Sequence, residues 1–232
     1  GVWFGGRSPM QLINLPGHVA ASVTMDTWRR TWAVYLGMVR FLDDCVGRVV
    51  EAVKQRGIWD DALVIFTGDH GEMLGSGRMF QKMCLYEDAL RVATLVKPPG
   101  GGATGFRPQL TDHTGLAGTV CDYAGAAVPS AAVGRPFRDV IENPDAPGAE
   151  AVFSEFNGNS GRSYQQRAIV TPTHKYIHNH GYGPELYDLT ADPGERVNLC
   201  SADEPPAEAE ALRRRLREWM IGTDDCIPPP EA

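Results

Sequence analysis

The residues of this chain best suited to chemistry lie together between Leu63 and Lys82, in LVIFTGDHGEMLGSGRMFQK. A short apolar run, Leu63 to Phe66, stops at Thr67-Gly68, and an acid and an imidazole follow side by side as Asp69-His70. A carboxylate suits a hard cation and a neutral imidazole suits a transition ion, so the pair reads as candidate metal ligands. A buried strand that ends at a glycine-flanked pair of this kind is how an open α/β sheet presents chemistry at its carboxyl edge. Glu72 is expected to brace the loop through hydrogen bonds rather than to bind metal itself. Taken alone, Asp69-His70 is also compatible with a helix N-cap beside a bystander histidine, and Lys82 with a surface lysine.

These side chains need elements to position them. Upstream, Trp28, Trp32, Tyr35, Val39, Leu42, Val46, Val49 and Val53 recur at three- and four-residue steps, which predicts a long helix with one apolar face. Asp26 or Thr27 would cap its start and Gly57 would end it in a left-handed conformation. Asp43 and Asp44 would project about 100° apart on such a helix, so they read as surface or salt-bridged carboxylates rather than a ligand pair. Strands are expected at Leu63–Phe66 and Val92–Val96, and a short helix from Leu116 to Ala127 closing on Gly125. Strands alternating with helices predict an α/β fold with a largely parallel sheet.

After about residue 146 the texture changes. Val152–Phe156, Arg167–Thr171, Lys175–His178 and Glu185–Leu189 are short segments with no room for crossover helices, which suits an antiparallel sheet. A final helix, Pro206 to Ile221, places Leu212, Leu216, Trp219 and Met220 on one side. Its cluster Arg213-Arg214-Arg215-Arg217 is interleaved with Glu208, Glu210 and Glu218 and reads as a solvated face. The expected division is residues 1–146 and 147–232.

Apolar residues make up 43% of the 232 residues, enough for a sizeable core, and the net charge is −7. That balance argues against a nucleic-acid binder held by a general positive field. No apolar run approaches the roughly 18 residues of a membrane span. The five cysteines are scattered, with no CxxC pair, and read as free thiols rather than a disulfide framework or a zinc site. The first residues carry neither an initiator Met nor a signal pattern, so the chain reads as a fragment with no assigned compartment.

The segment TGDHGEMLGSGRMFQKM resembles the second signature of the sulfatase family, within the alkaline-phosphatase-like superfamily. FLDDCVGRVVEAVKQRGIWDDALVIFTGDHGE is similar to the family's approach to that motif. RAIVTPTHKYIHN, ELYDLTADPGERVNL and EALRRRLREWM are similar to its C-terminal subdomain and terminal helix. The resemblance runs from about Tyr35 onward. It implies the C-terminal part of an alkaline-phosphatase-like, mostly parallel sheet with flanking helices, followed by a small antiparallel sheet and helix. It also implies a hydrolase acting on small-molecule or saccharide sulfate esters, with a formylglycine nucleophile made within a C/S-x-P-x-R motif and one divalent cation. Asp69 and His70 match the second pair of metal ligands, and Lys82 matches the lysine that contacts the sulfate and the leaving oxygen. The family implies Ca²⁺. Imidazole in the second position brings Mn²⁺ or another transition ion into competition.

No Cys or Ser here stands in a C/S-x-P-x-R context, and the first pair of metal-binding Asp residues is absent too. The missing N-terminal half of the catalytic domain is therefore the expected partner, and the chain alone is expected to be inactive. Gly77, Ala93, Gly115 and Gly118 depart from common residues of the family, with loss of a helix cap expected at Gly115. Two other functions fit the same sequence. One is a phosphonate monoester or phosphodiester hydrolase, and the other a non-catalytic binding or assembly relative. His18 reads as a loop residue, His113 as structural, and His174, His178 and His180 as core or surface residues of the second sheet.

Overall fold

The computed structural model of the protein describes residues 23–102, 104–158 and 164–231. The loop expected over the first 25 residues, with His18, falls almost wholly outside them. Two compact units emerge. One joins Thr24–Gly68 to Ala93–Ala149, and the other joins Asp69–Val92 to Glu150–Ala232.

The first unit opens with helix α1 (Met25–Gln55). Thr24 caps it, its side chain accepting from the Thr27 amide, and Asp26 lies in the first turn where a carboxylate complements the dipole. Gly57 follows the C-cap at φ +69°, a left-handed stop. Asp44 pairs with Arg40 at 3.3 Å across one turn, as a solvated carboxylate should. The expected apolar face is not buried, however. Trp28 is the helix's one buried residue, while Trp32, Tyr35, Val39, Leu42 and Val49 are 36–65% exposed. Val34, Leu36, Met38 and Phe41 are exposed as well, so apolar surface extends around the helix beyond the predicted stripe. Periodicity marks a helix with something to bury, but it does not say what covers it.

Strand β1 (Val64–Thr67) leads to the candidate ligands along the chain. The short helix α2 (Glu87–Leu90), which belongs to the second unit, comes next, and strand β2 (Thr94–Lys97) follows. β1 and β2 pair antiparallel, Val64 opposite Lys97 and Thr67 opposite Thr94. No parallel pair occurs among the described strands, because alternation of strand and helix in a sequence does not fix strand direction. Lys97 ties this ribbon to the connection between α1 and β1 by donating to the carbonyls of Asp60 and Ala62, both at 3.0 Å.

Helix α3 (Leu116–Ala124) ends on left-handed Gly125, and α4 spans Arg138–Glu142. The helix cap expected to be lost is supplied one step earlier, where the Asp112 carboxylate accepts from the Thr114 amide. Gly115 has a packing reason: a Cβ there would lie 2.1 Å from the Arg135 carbonyl oxygen.

In the second unit, β3 (Val152–Phe156), β4 (Gln166–Val170), β5 (His174–Asn179) and β6 (Glu185–Asp188) form an antiparallel meander in chain order. Every residue of β4 is buried, so the sheet is covered on both faces. Ala168, Ile177 and Tyr187 pack with Met73, Met79, Leu85 and Tyr86 of the 69–92 segment. Ile169, Tyr176 and Leu186 pack on the other side with helix α5 (Ala207–Gly222) through Ala209, Leu212, Leu216 and Met220. Alternation along each strand separates the two sets. All five cysteines are free thiols. No described helix is long and apolar enough to cross a membrane.

Candidate metal loop

Asp69, His70 and Lys82 all belong to the second unit, in the segment that covers one face of its sheet. Asp69 and His70 interlock. The His70 amide donates to Asp69 Oδ1 at 2.9 Å, and His70 Nε2 lies 3.4 Å from Asp69 Oδ2. His70 Nδ1 sits 2.9 Å from the Gly71 carbonyl oxygen. A carbonyl only accepts, so Nδ1 carries a proton and donates, and in the neutral form of the ring the lone pair lies on Nε2. Two acceptors, Nε2 and Oδ2, then lie 3.4 Å apart. A proton or a cation between them satisfies both.

The donor set fits half of a divalent-cation site. A ligand histidine whose other ring nitrogen donates to a backbone carbonyl is the usual arrangement around a bound metal. The Asp69 side chain is open to solvent and available to such an ion. Its carboxyl is held below the ordinary carboxylate range, first by the His70 amide and then by the His70 ring in its protonated form. Lys82 adds a smaller pull in the same direction, against the opposing effect of burial. Lys82, itself exposed, thus shares the electrostatic neighbourhood of Asp69. Among the described residues no three His, Cys, Asp or Glu side chains converge as a complete site.

The loop between His70 and Lys82 is tightly folded. Met73 and Gln81 are joined by an amide-to-carbonyl bond of 2.9 Å, and Gly75 and Met79 by one of 2.7 Å. Leu74, Arg78 and Gln81 all take positive φ, a concentration of costly backbone conformations that persists only where the surroundings impose it. Glu72 is one imposer: its carboxylate accepts from the amides of Gln81 and Leu74, the bracing role expected of it. Buried Met73 and Met79 anchor the loop in the core beneath the sheet. Gly77, at φ +54°, serves the backbone of this turn.

Gly71 is the loop's tightest contact. Its amide donates to the Ala89 carbonyl at 2.8 Å, and a Cβ would lie 2.1 Å from the Asp88 carbonyl oxygen. Helix α2 therefore presses directly on the residue after His70. The sequence shows a glycine here but not its reason, since Asp88 and Ala89 are far along the chain.

His113 lies elsewhere, in the first unit, with Nε2 3.3 Å from Thr67 Oγ1. His174 bonds to Thr173, and burial holds the His178 imidazole below its ordinary range. None of these joins Asp69 and His70.

Comparison with known proteins agrees with this architecture. The family model "Sulfatase" matches residues 15–126, and "N-sulphoglucosamine sulphohydrolase, C-terminal" matches residues 75–221. An arylsulfatase of Clostridium perfringens is 27% identical over 203 residues, covering 85% of this chain and 41% of its own length. Among solved structures, BT4656 in complex with its substrate D-glucosamine-2-N,6-O-disulfate superposes with a TM-score of 0.74. It shares 25% identity and covers 85% of this chain and 42% of that one. The phosphonate monoester hydrolase of Agrobacterium radiobacter shares the fold, with a TM-score of 0.75 at 24% identity over 94% of this chain and 48% of that one. The chain belongs to the sulfatase family, within the alkaline-phosphatase-like superfamily. It spans about two fifths of the length of the curated relatives it matches.

Proposed function

We propose that this chain is the C-terminal portion of a sulfuric ester hydrolase, with Asp69 and His70 as two ligands of a divalent cation and Lys82 as the cation that meets the sulfate. The observation that carries this reading is the His70 ring, pinned through Nδ1 to Gly71 with Nε2 turned toward Asp69. The other ligands and the nucleophile would come from an N-terminal half of the catalytic domain. A partner of that kind suits the open apolar surface of α1. We assign residues 1–146 to the catalytic domain and 147–232 to its C-terminal subdomain, and we take the mostly parallel sheet to be completed by the same half.

When bound, the cation supplies Lewis-acid polarisation of a sulfate oxygen and favours an ionised nucleophile. Asp69 anchors the ion by charge, and His70 fills a position with a lone pair already oriented. Lys82 offers a compact ammonium where negative charge grows on the leaving oxygen. Imidazole among the ligands favours Mn²⁺ or another transition ion, whereas the family resemblance favours Ca²⁺. Sulfated saccharides are the substrate class supported by BT4656 and its glucosamine disulfate.

The test is turnover of an aryl sulfate by the parent protein. Asp69→Ala should abolish it, and Lys82→Ala should lower kcat by about 10²–10³. The chain by itself should show none. Turnover unchanged by Asp69→Ala overturns the reading. Phosphonate monoester hydrolysis is a second reading, supported by the shared fold of the Agrobacterium enzyme. Matched aryl sulfate and phosphonate esters separate the two by their kcat/KM ratio.

A further inference from the structure

We propose that Glu195 and Lys175 are positioning residues for the Asp69–His70 pair, acting through helix α2 and Gly71; the inference rests on the metal reading of that pair. Helix α2 is four residues long, too short to hold its own conformation. It is held from the sheet side. Glu195 Oε2 accepts from the Glu87 amide at 2.7 Å, which satisfies the start of the helix. Lys175 Nζ lies 2.7 Å from Glu87 Oε1 and 2.8 Å from Glu195 Oε1, and both Lys175 and Glu195 are buried.

The turn that delivers Glu195 is constructed for the purpose. Glu195 takes φ +51°, and its amide donates to the Asp192 carbonyl at 3.0 Å. The Asp192 carboxylate gathers the amides of Arg196 and Val197 at 2.6 and 2.8 Å. A left-handed glutamate is an unfavourable choice at a turn, and here it aims a carboxylate into the protein.

From α2 the contacts continue without a gap. Ala89 accepts from the Gly71 amide, the Asp88 carbonyl abuts the Gly71 Cα, and the Gly71 carbonyl accepts from His70 Nδ1. Gly71 is thus gripped at both ends. Where α2 sits sets where the Gly71 carbonyl points, and that sets the imidazole plane. Three buried or half-buried charges are a poor means of adding stability, since apolar side chains of similar volume do as well. The directional bond from the Glu87 amide to Glu195, with Lys175 holding both carboxylates, gives them a different use.

The experiment uses the parent protein, in which the proposed site is complete, and two readouts. One is hydrogen exchange of the Gly71 amide, normalised to the amide of Ile169 in the centre of the sheet. The other is affinity for Mn²⁺ alone. Glu195→Gln should speed Gly71 exchange about tenfold relative to Ile169 and weaken Mn²⁺ by about 10–100-fold, the usual cost of losing an outer partner of a ligand histidine. Asp225→Asn breaks a comparable buried pair on the opposite face and should lower the melting temperature while leaving both readouts unchanged. If Glu195→Gln does not fold, Glu87→Gln tests the same link from a half-buried position.

Gly71 exchange unchanged in the Glu195 or Glu87 variant, or raised as much by Asp225→Asn, overturns the proposal. Asp69→Ala separates the two readings: if it leaves Mn²⁺ affinity unchanged, the metal reading fails, while Gly71 exchange still decides the positioning role.

Discussion

The two faces of the four-stranded sheet are built differently. The face beneath helix α5 is mainly adhesive, with Ile169, Tyr176, Leu186, Leu212, Leu216 and Met220 in one apolar cluster and Phe153 stacked on Trp219 at 4.7 Å. Its one strong polar device is Arg167, fully buried and gripping Asp225 through two bonds of 2.6 and 2.7 Å. The face beneath the 69–92 segment is threaded with polar groups. Glu185, fully buried, accepts from Tyr86 and Tyr187 through one oxygen and from Asn179 through the other. Asn179 in turn accepts from Gln166, and Lys175 joins Glu87 and Glu195.

Apolar contact is nearly non-directional and lets a helix slide, whereas hydrogen bonds fix angle and register. The polar face is the one that carries the candidate metal loop.

The largest test of this contrast removes a buried charge. Lys175→Met leaves Glu195 and Glu87 without their cation and should cost about 3–5 kcal/mol in chemical denaturation. A loss below about 1 kcal/mol would mean that these buried charges do not hold the polar face together. Leu216→Ala, in the apolar face, should cost about 2–5 kcal/mol while leaving Mn²⁺ affinity intact. Reduced affinity there would erase the distinction between the faces. Glu185→Gln keeps the shape but turns an NH₂ toward groups that already donate, and should cost about 1–3 kcal/mol.

The smallest effect is in pH dependence, where the faces should differ in sign. Asp225 is held low by its bond to Arg167, against burial. His178 is held low by burial, against a bond to the Pro228 carbonyl. Each therefore binds fewer protons folded than unfolded. Their contributions are present above the unfolded values, about 3.9 and 6.5, and are lost as pH falls through the folded ones. Glu195 goes the other way: burial raises its carboxyl despite the opposing pull of Lys175. Its contribution is present below the unfolded value and lost as pH rises through the raised one. In urea titrations at stepped pH, Asp225→Asn should flatten the acid limb and Glu195→Gln should lift stability on the alkaline side of the carboxylate range relative to its acid side. Matching slopes in the two variants would refute the opposed signs.

Much of this organisation was legible from local chemistry. The 3.6-residue period of α1, the left-handed stops at Gly57 and Gly125, and the short strands after residue 146 are local signals, and these elements formed within about three residues of expectation. Asp69-His70 stood out because ligand-type side chains followed a strand and a glycine. Other features were beyond reach because their causes lie far along the chain. β1 pairs with β2 in the antiparallel sense, which no alternation of elements could specify. Gly115 answers to the Arg135 carbonyl rather than to a lost cap.

What the sequence by itself determined is the family, the elements and the identity of the candidate ligands, since these depend on residue types at close spacing. Only the tertiary structure decided which nitrogen of His70 faces Asp69, why residue 71 must lack a side chain, and how Lys175 and Glu195 reach them. Those outcomes depend on contacts a few ångströms long between residues up to 108 positions apart. Such distances are set when the sheet closes on the loop, not by the order of residues within it.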